Sequence, residues 1–481
     1  MNRPTGTTLA TEFAGADLGD RRLRKRLIRI VEAAEPRPAE SFPKIAADPS
    51  ALEGLYRFLG NPRVTPEKML SPHCRETARR ADAEEEVIVA HDTTEFEFRG
   101  EARRAGLSRI RKGGQGFFGH FALCLKANAS REPIGMLGLK TFFRTGPVKR
   151  LSRAQIQRKS DKESDRWWEM VDAASRLLSD PLKAVHVMDR EADAYGLLSR
   201  LCRQHRFVIR LTHDRNVEEM IKGSNRGSGT KLSSALESVE DVFEREVPIS
   251  LRRTWHRPHL RRSHMPRNAR IARLAFKAMT VTFRKPPFAG KTFSSPEVES
   301  TITVNVVHVH EMDAPSDAQP VDWMLATSEP IETQEQIERI VDLYRARWVI
   351  EEYFKALKAG CSYESRQLET RRALLNALAL FTPIAVGLLR LRSIAKVKPE
   401  AAATEVLRSH QLRALRYLSA KFRGEQNATV KKAFDAIAAL GGHLPQNGDP
   451  GWQVLWKGYS DVCRAAEIFQ AADSLKKCDQ S

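Results

Sequence analysis

The chain has 481 residues, enough for two or three domains and a sizeable core, and its 79 Lys and Arg against 60 Asp and Glu leave a formal net charge of +19. That excess favours a polyanionic partner, because pairing phosphates with cations releases counterions, although a ribosomal, RNA-binding or membrane-surface role has the same charge signature. Cys74, Cys124, Cys202, Cys361, Cys463 and Cys478 are scattered without ligand-like spacing, which argues against structural zinc and for buried free thiols in a reducing cytoplasm.

The opening MNRPTGTTLATEF lacks the apolar stretch of a signal peptide, and no uninterrupted apolar run approaches the roughly 20 residues that cross a bilayer. A soluble, cytoplasmic protein without a membrane partner is expected. Residues 16–35 then place Leu23, Leu27, Ile30, Val31 and Ala34 on one helical stripe, with Arg21, Arg22, Arg24, Lys25, Arg26 and Arg29 crowding the rest and Asp20 set to cap. Asp48 before Pro49 and Thr65 before Pro66 mark two further helix starts. A basic helical unit over residues 1–70 follows, suited to docking on DNA through residues such as Arg22 and Arg26 or simply to presenting a solvated charged face.

The run EEEVIVAHD at 84–92 reads as a buried strand that delivers Asp92 to a sheet edge, and HFALCLKA at 120–127 and PIGMLGLKTFF at 133–143 continue a meander. The Gly- and Arg-rich stretch 99–119 suits a hairpin or loop over a phosphate backbone. A helix is expected over 161–179, with Trp167, Trp168, Val171, Ala174 and Leu177 facing inward. KAVHVMDREADAYGLLSRL at 183–201 repeats the pattern: a short apolar strand ends in Asp189 and a helix starts at once. Asp189, Arg190, Glu191 and Asp193 also suit plain helix-start charges. Another strand, HRFVIRLTH at 205–213, carries Arg206 and Arg210 at its ends.

From 215 to 325 alternation of period two dominates, so a β-rich segment is inserted before the next helix. It contains a basic patch at 252–270 around Trp255, and the pair His308 and His310, which share a strand face but have no further metal ligand nearby in sequence. In YRARWVIEEYFKALK at 344–358, Tyr344, Arg347, Glu351 and Lys358 fall within roughly 60° of one helix face, while Trp348, Ile350, Phe354 and Leu357 form the buried stripe. Arg347 and Glu351 are also spaced for an ordinary i,i+4 salt bridge. From 373 to the end the chain reads as helical, and 373–395 is apolar on most faces.

The order Tyr-x2-Arg-x3-Glu-x6-Lys resembles the signature of the Tn-five type DDE transposases of bacterial insertion sequences. The blocks AGADLGDRR, LYRFLGNPRVT, HDTTEF, DREADA, VDWMLATSEP, AIAALGGHL and WQVLWKGY resemble that family in the same order along nearly the whole chain. The resemblance implies an α/β fold: an RNase H-like catalytic domain at 71–372 with a β-rich insertion at about 215–325, flanked by the N-terminal helical DNA-binding domain and a C-terminal helical dimerisation domain at 373–481. It implies that Asp92, Asp189 and Glu351 hold Mg2+, with Mn2+ as a substitute, and perform cut-and-paste transposition through end nicking, hairpin formation and opening, and strand transfer. Tyr344, Arg347, Lys358, Lys355 and Arg210 would grip DNA and Trp323 would stack on a displaced base, although a tryptophan there also suits a strand core. The implied partners are double-stranded DNA bearing inverted terminal repeats, target DNA and a second copy of the chain. The chain departs from relatives in having Phe117 and Phe118 where paired tryptophans are common, and in the 252–270 arginines. A nuclease of the same fold or an inactive DNA-binding regulator are the competing readings.

Overall fold

The computed structural model describes residues 9–100, 103–110, 114–143, 163–218, 230–249, 268–286, 298–316 and 318–478. Arg252, Arg253, Arg257, Arg261, Arg262 and Arg267, with Trp255, therefore lie outside the described residues. Five helices open the chain: α1 (Leu9–Phe13), α2 (Arg21–Ala34), α3 (Phe42–Ile45), α4 (Pro49–Gly60) and α5 (Pro66–Asp82). Three of the starts are fixed as the local chemistry dictates. Asp20, Asp48 and Thr65 each accept a hydrogen bond from a first-turn amide, those of Arg22, Ala51 and Lys68, and satisfy donors that a helix leaves unpaired. Leu27, Ile30, Val31 and Ala34 of α2 are buried, and Arg21, Arg22, Arg24, Lys25 and Arg29 are exposed on its other side. Residue 70 falls inside α5, which packs on the sheet that follows.

Among the described residues that sheet has twelve strands, in the order Ser108–Arg109, Gln115–Lys126, Val87–Phe98, Ala184–Met188, Arg206–Arg210, Asp322–Thr327, Thr301–Glu311, Arg270–Arg284, Asn216–Val217 and Thr230–Lys231, with Pro133–Phe142 beside the second and Phe243–Ile249 beside the eighth. β1 (Val87–Phe98), β3 (Gln115–Lys126) and β4 (Pro133–Phe142) form an antiparallel meander, with the short β2 (Ser108–Arg109) at its edge. β5 (Ala184–Met188) and β6 (Arg206–Arg210) then run parallel to β1, connected by α6 (Glu163–Ser175) and α7 (Tyr195–Gln204). This is the RNase H-like arrangement. β1 does not end at Asp92 as the sequence suggests; it continues to Phe98 because β3 pairs with it in register from Val87 to Phe98. What stops near Asp92 is the parallel partner, whose last pairing with β1 is Ala90 with Val187.

The β-rich segment comprises β7 (Asn216–Val217), β8 (Thr230–Lys231), β9 (Phe243–Ile249), β10 (Arg270–Arg284), β11 (Thr301–Glu311) and β12 (Asp322–Thr327), with α8 (Leu232–Glu237) between β8 and β9. Its described strands all join the main sheet, because β12 pairs antiparallel with β6. Arg270 at its rim chelates Glu311. His308 and His310 stack at 5.1 Å, and each has its own carboxylate, Asp322 at 2.8 Å and Asp241 at 3.6 Å.

Past β12 the chain enters α9 (Gln334–Ala346), α10 (Trp348–Lys355) and a π-helical turn (Ala356–Gly360), then α11 (Arg371–Val397). α11 is long and apolar enough to cross a membrane by composition, but 89% of its apolar window is buried within the fold. The chain closes with α12 (Ser409–Leu418), α13 (Val430–Leu440) and α14 (Trp452–Cys478), around a separate small core of residues such as Leu415, Phe434, Ile437 and Val462.

The two faces of β1 meet different partners. Ile88 and Ala90 join the main core with Ile340, Ile350 and Leu378 from α9 to α11. Val87 and Val89 pack instead with Met170 and Ala174 of α6. Of the described cysteines, Cys74, Cys124, Cys361 and Cys463 are buried free thiols, whereas Cys202 is exposed.

Candidate active site

Strand register brings the first two acids together. Because β1 and β5 pair in parallel up to Ala90 and Val187, two residues further along each strand are Asp92 and Asp189, neighbours at the carboxyl end of β5. Asp92 belongs to the α9–α11 side of the sheet by alternation with Ile88 and Ala90. It is only 7% exposed. Its Oδ1 accepts the amide of Thr93 at 2.7 Å and its Oδ2 accepts from Arg347 Nη1 at 2.6 Å. Asp189 is half-buried, and its Oδ1 accepts the amide of Glu191 at 2.9 Å, which caps the turn Arg190–Ala192 and fixes the carboxylate at the strand end.

Glu351 arrives from α10. Its Oε1 lies 3.9 Å from the same Arg347 Nη1 that binds Asp92, so one guanidinium bridges two acids that are remote in sequence. Burial pushes the Asp92 carboxyl well above the usual carboxylate range; Arg347 opposes the shift, and the charges of Glu351 and Asp189 add to it. Burial disfavours the Arg347 cation, yet Asp92, Tyr344, Asp189 and Glu351 together raise its pKa. The two directions describe one coupled pair, in which Arg347 is held charged and Asp92 is the group under stress, since three carboxylates share one cation.

Among the described residues, no three His, Cys, Asp or Glu side chains converge tightly enough to form a finished metal shell. The donor set nonetheless suits a hard divalent cation, which takes a few carboxylate oxygens and keeps part of its water. Arg347 stands where positive charge is needed between Asp92 and Glu351, and the half-exposure of Asp189 and Glu351 leaves room for water.

The helical signature is not one continuous face. The α-helix breaks at Arg347, and the π-helical turn at 356–360 alters the phase before Lys358. Lys358 consequently turns under the site, where its Nζ donates to the carbonyl of Glu95 and sits 3.7 Å from Glu364 Oε1 and 5.3 Å over the Phe96 ring. Burial holds its ammonium below the usual lysine range, with Glu364, Glu95 and Glu351 opposing. Ile350, Phe354 and Leu357 are buried as expected; Trp348 is not, being 57% exposed, because at 100° per residue it falls about 40° from Tyr344 and about 160° from Ile350, off the buried stripe.

Tyr344 is buried and meets Trp323 edge-on, with ring centroids 5.4 Å apart. Lys355 is exposed and holds Glu352 at 2.6 Å. Arg210 donates to the Asp322 carbonyl at 3.1 Å, one residue before Trp323. Arg22 and Arg26 lie on α2 in the N-terminal unit and are not part of the acid site. Asp193 accepts the amides of Thr212 and His213 and pairs with Arg215, a buried structural knot.

Two features went unseen in the sequence. On the α6 side of β1, His91 Nε2 meets His186 Nδ1 at 2.8 Å, His186 Nε2 meets Ser175 Oγ at 3.1 Å, and Thr93 Oγ1 meets His120 Nδ1 at 2.8 Å. Burial pushes His120 and His186 down to about 3, with nearby cations and the neighbouring histidine His205 respectively adding to it. The second feature is a tie between Glu352 and the last helix. Neither has a local sequence pattern beyond the HD and EE pairs, since every partner comes from a distant strand or helix.

Residues 7–64 match the family model described as Transposase DNA-binding, and residues 85–382 match the one described as Transposase DDE domain. Among solved structures the chain is similar to the piggyBac transposase synaptic complex with hairpin DNA, determined by cryo-EM, at 9% identity and a TM-score of 0.34, over 96% of this chain and 75% of that one.

Proposed function

The chain belongs to the DDE transposases and is a DNA transposase, and from that premise we propose that Asp92, Asp189 and Glu351 are its three acids. The observation that supports this reading is that Arg347 bridges Asp92 and Glu351 while strand register sets Asp189 beside Asp92. The family works with divalent metal ions. Here Asp92, Asp189 and Glu351 would hold Mg2+, or Mn2+ in its place, and the bound ions would supply activation of the attacking oxygen and charge neutralisation at the leaving oxygen.

The protein's own residues perform the positioning. The sheet holds Asp92 and Asp189 rigidly, and in-line displacement at phosphorus demands such placement. Arg347, which bridges Asp92 and Glu351, would serve a DNA phosphate, a contact for which its planar fork is well shaped. Lys355 is exposed on the same helix and Arg210 borders Trp323, so both serve the DNA backbone. Lys358 acts from beneath, through Glu95 and Glu364, and the Trp323–Tyr344 pair offers an aromatic edge to a displaced base.

On α2, Arg21, Arg22, Arg24, Lys25 and Arg29 are exposed and have no acidic partner among the described residues; Arg22 and Arg26 would fix the terminal repeat. Water attacks at the transposon end, the freed 3′-OH attacks the opposite strand to close a hairpin, water reopens it, and the same hydroxyl joins target DNA. Two copies of the chain would each hold one end, paired through the helices after residue 373. Such a protein works on the nucleoid in the cytoplasm.

The test is cleavage of a fragment bearing the terminal repeat with Mg2+, comparing wild type with Glu351→Gln on a denaturing gel. Nicks and hairpins at the end from wild type, reduced about 1,000-fold or more in the variant, are expected for a group acting at the reacting phosphate. Equal cutting by both proteins would remove Glu351 from the site.

A further inference from the structure

Glu351 has a neighbour whose carboxylate is fully engaged elsewhere. Glu352 Oε1 accepts from Lys355 at 2.6 Å, and its Oε2 accepts from the indole Nε1–H of Trp452 at 3.2 Å and lies 3.7 Å from Arg392 Nη1. Arg392 itself stacks 4.8 Å from the centre of the Trp452 ring. Three helices meet at this carboxylate: α10, α11 through Arg392, and α14 through its first residue, Trp452, only 8% exposed.

The helix so gripped is short. α10 has eight residues and is bounded by the break at Arg347 and by the π-helical turn Ala356–Gly360, both of which interrupt the regular hydrogen-bond ladder. Packing of Ile350, Tyr353 and Phe354 holds its depth against the core. Apolar contacts are non-directional, so they resist rotation about the helix axis less well than a fixed hydrogen bond does. A carboxylate roughly 6 Å from the axis moves about 2 Å when the helix turns by about 20°, several times the roughly 0.5 Å tolerance of a working site. Glu351 and Glu352 are consecutive, so anchoring one sets the azimuth of the other.

We propose that Glu352, clamped by Trp452 and Arg392, is a positioning residue that sets the rotation of α10 and thereby aims Glu351 at the acid site, which makes the first turn of the last helix part of the catalytic apparatus. The inference rests on Glu351 being a working acid. Two variants test it in the full chain: Glu352→Gln removes the charge and keeps the shape, and Trp452→Phe removes the indole donor and keeps a ring. Two readouts are taken, hydrogen–deuterium exchange over residues 348–360 without metal, and the Mg2+ concentration giving half-maximal end cleavage.

Both variants are expected to exchange at least about fivefold faster in that segment and to need about tenfold more Mg2+, with cleavage recovered at high Mg2+ and binding to the end in EDTA within about twofold of wild type, the range seen when groups that orient metal ligands are removed. A wild-type Mg2+ midpoint and wild-type exchange in both variants would overturn the proposal, even with a lower melting temperature, since that pattern marks a merely structural contact. Full cleavage by Glu351→Gln would instead strike at the underlying assignment of the acid.

Discussion

The two faces of β1 bury ionisable groups in opposite ways. On one face Asp92 lies under Arg347 with Asp189 and Glu351 close by, an arrangement short of positive charge and open enough for water. On the other, His91, His120 and His186 are wholly enclosed, linked to one another or to Thr93 and Ser175, and held neutral by burial. Residues 91 and 92 are adjacent in sequence, yet His91 belongs to the enclosed histidine face and Asp92 to the face proposed to take a ligand. A site that must accept a cation keeps unbalanced charge, whereas the histidine face excludes charge, although His91 Nδ1 and His120 Nε2 are buried without a hydrogen-bond partner.

Removing a member of the histidine face should therefore cost folding and spare chemistry. His186→Ala leaves a cavity and strips partners from His91 and Ser175, so a loss of about 2–4 kcal/mol in urea unfolding at pH 7.5 is expected. End cleavage per folded molecule should stay close to wild type at temperatures where the variant is folded. A stable but inactive variant would mean that the histidines serve the reaction and that the two faces are not distinct.

Acid should sharpen the contrast with a smaller effect per residue. An unfolded histidine takes up its proton near pH 6.5, whereas folded His120 and His186 do so only at about 3. Between those values the unfolded chain binds more protons, so stability is fully present above about pH 6.5 and falls as pH is lowered through the window. At pH 5 each of the two contributes a loss of about 2 kcal/mol. Asp92 works in the opposite sense, because its raised folded pKa favours the folded state while it is protonated and that advantage is lost as pH rises. The histidines outnumber it, so the urea midpoint should drop between pH 7.5 and 5.0, and drop less in His186→Ala. A midpoint that rises on acidification would show the acid face to dominate.

Features decided within a few residues were legible in the sequence. Asp20, Asp48 and Thr65 cap the helices they precede, and Asp189 ends its strand. Features decided by pairing were not. Asp92 sits within a strand because β3 runs alongside it, and the β-rich segment joins the main sheet because β12 meets β6. Reading Trp348 into the buried stripe weighed its apolar ring over its phase, which at 100° per residue sets it about 160° from Ile350 and in the open. Lys358 stays within the field of Glu351, while the π-helical turn carries it to Glu95 and Glu364. The histidine face and the clamp on Glu352 are assembled from distant elements, which no local pattern encodes.

The central claim is that the acid face is a metal site, and the most direct measurement is a change of metal preference. Asp189→Cys replaces a hard oxygen with a soft sulfur that Mg2+ binds poorly and Mn2+ tolerates better. End cleavage by this variant should be lost in Mg2+ and recovered at least about tenfold in Mn2+, while wild type works in both. Cleavage equally absent in both metals, by a variant that still folds and binds the terminal repeat, or equally present in both, would contradict direct ligation by Asp189.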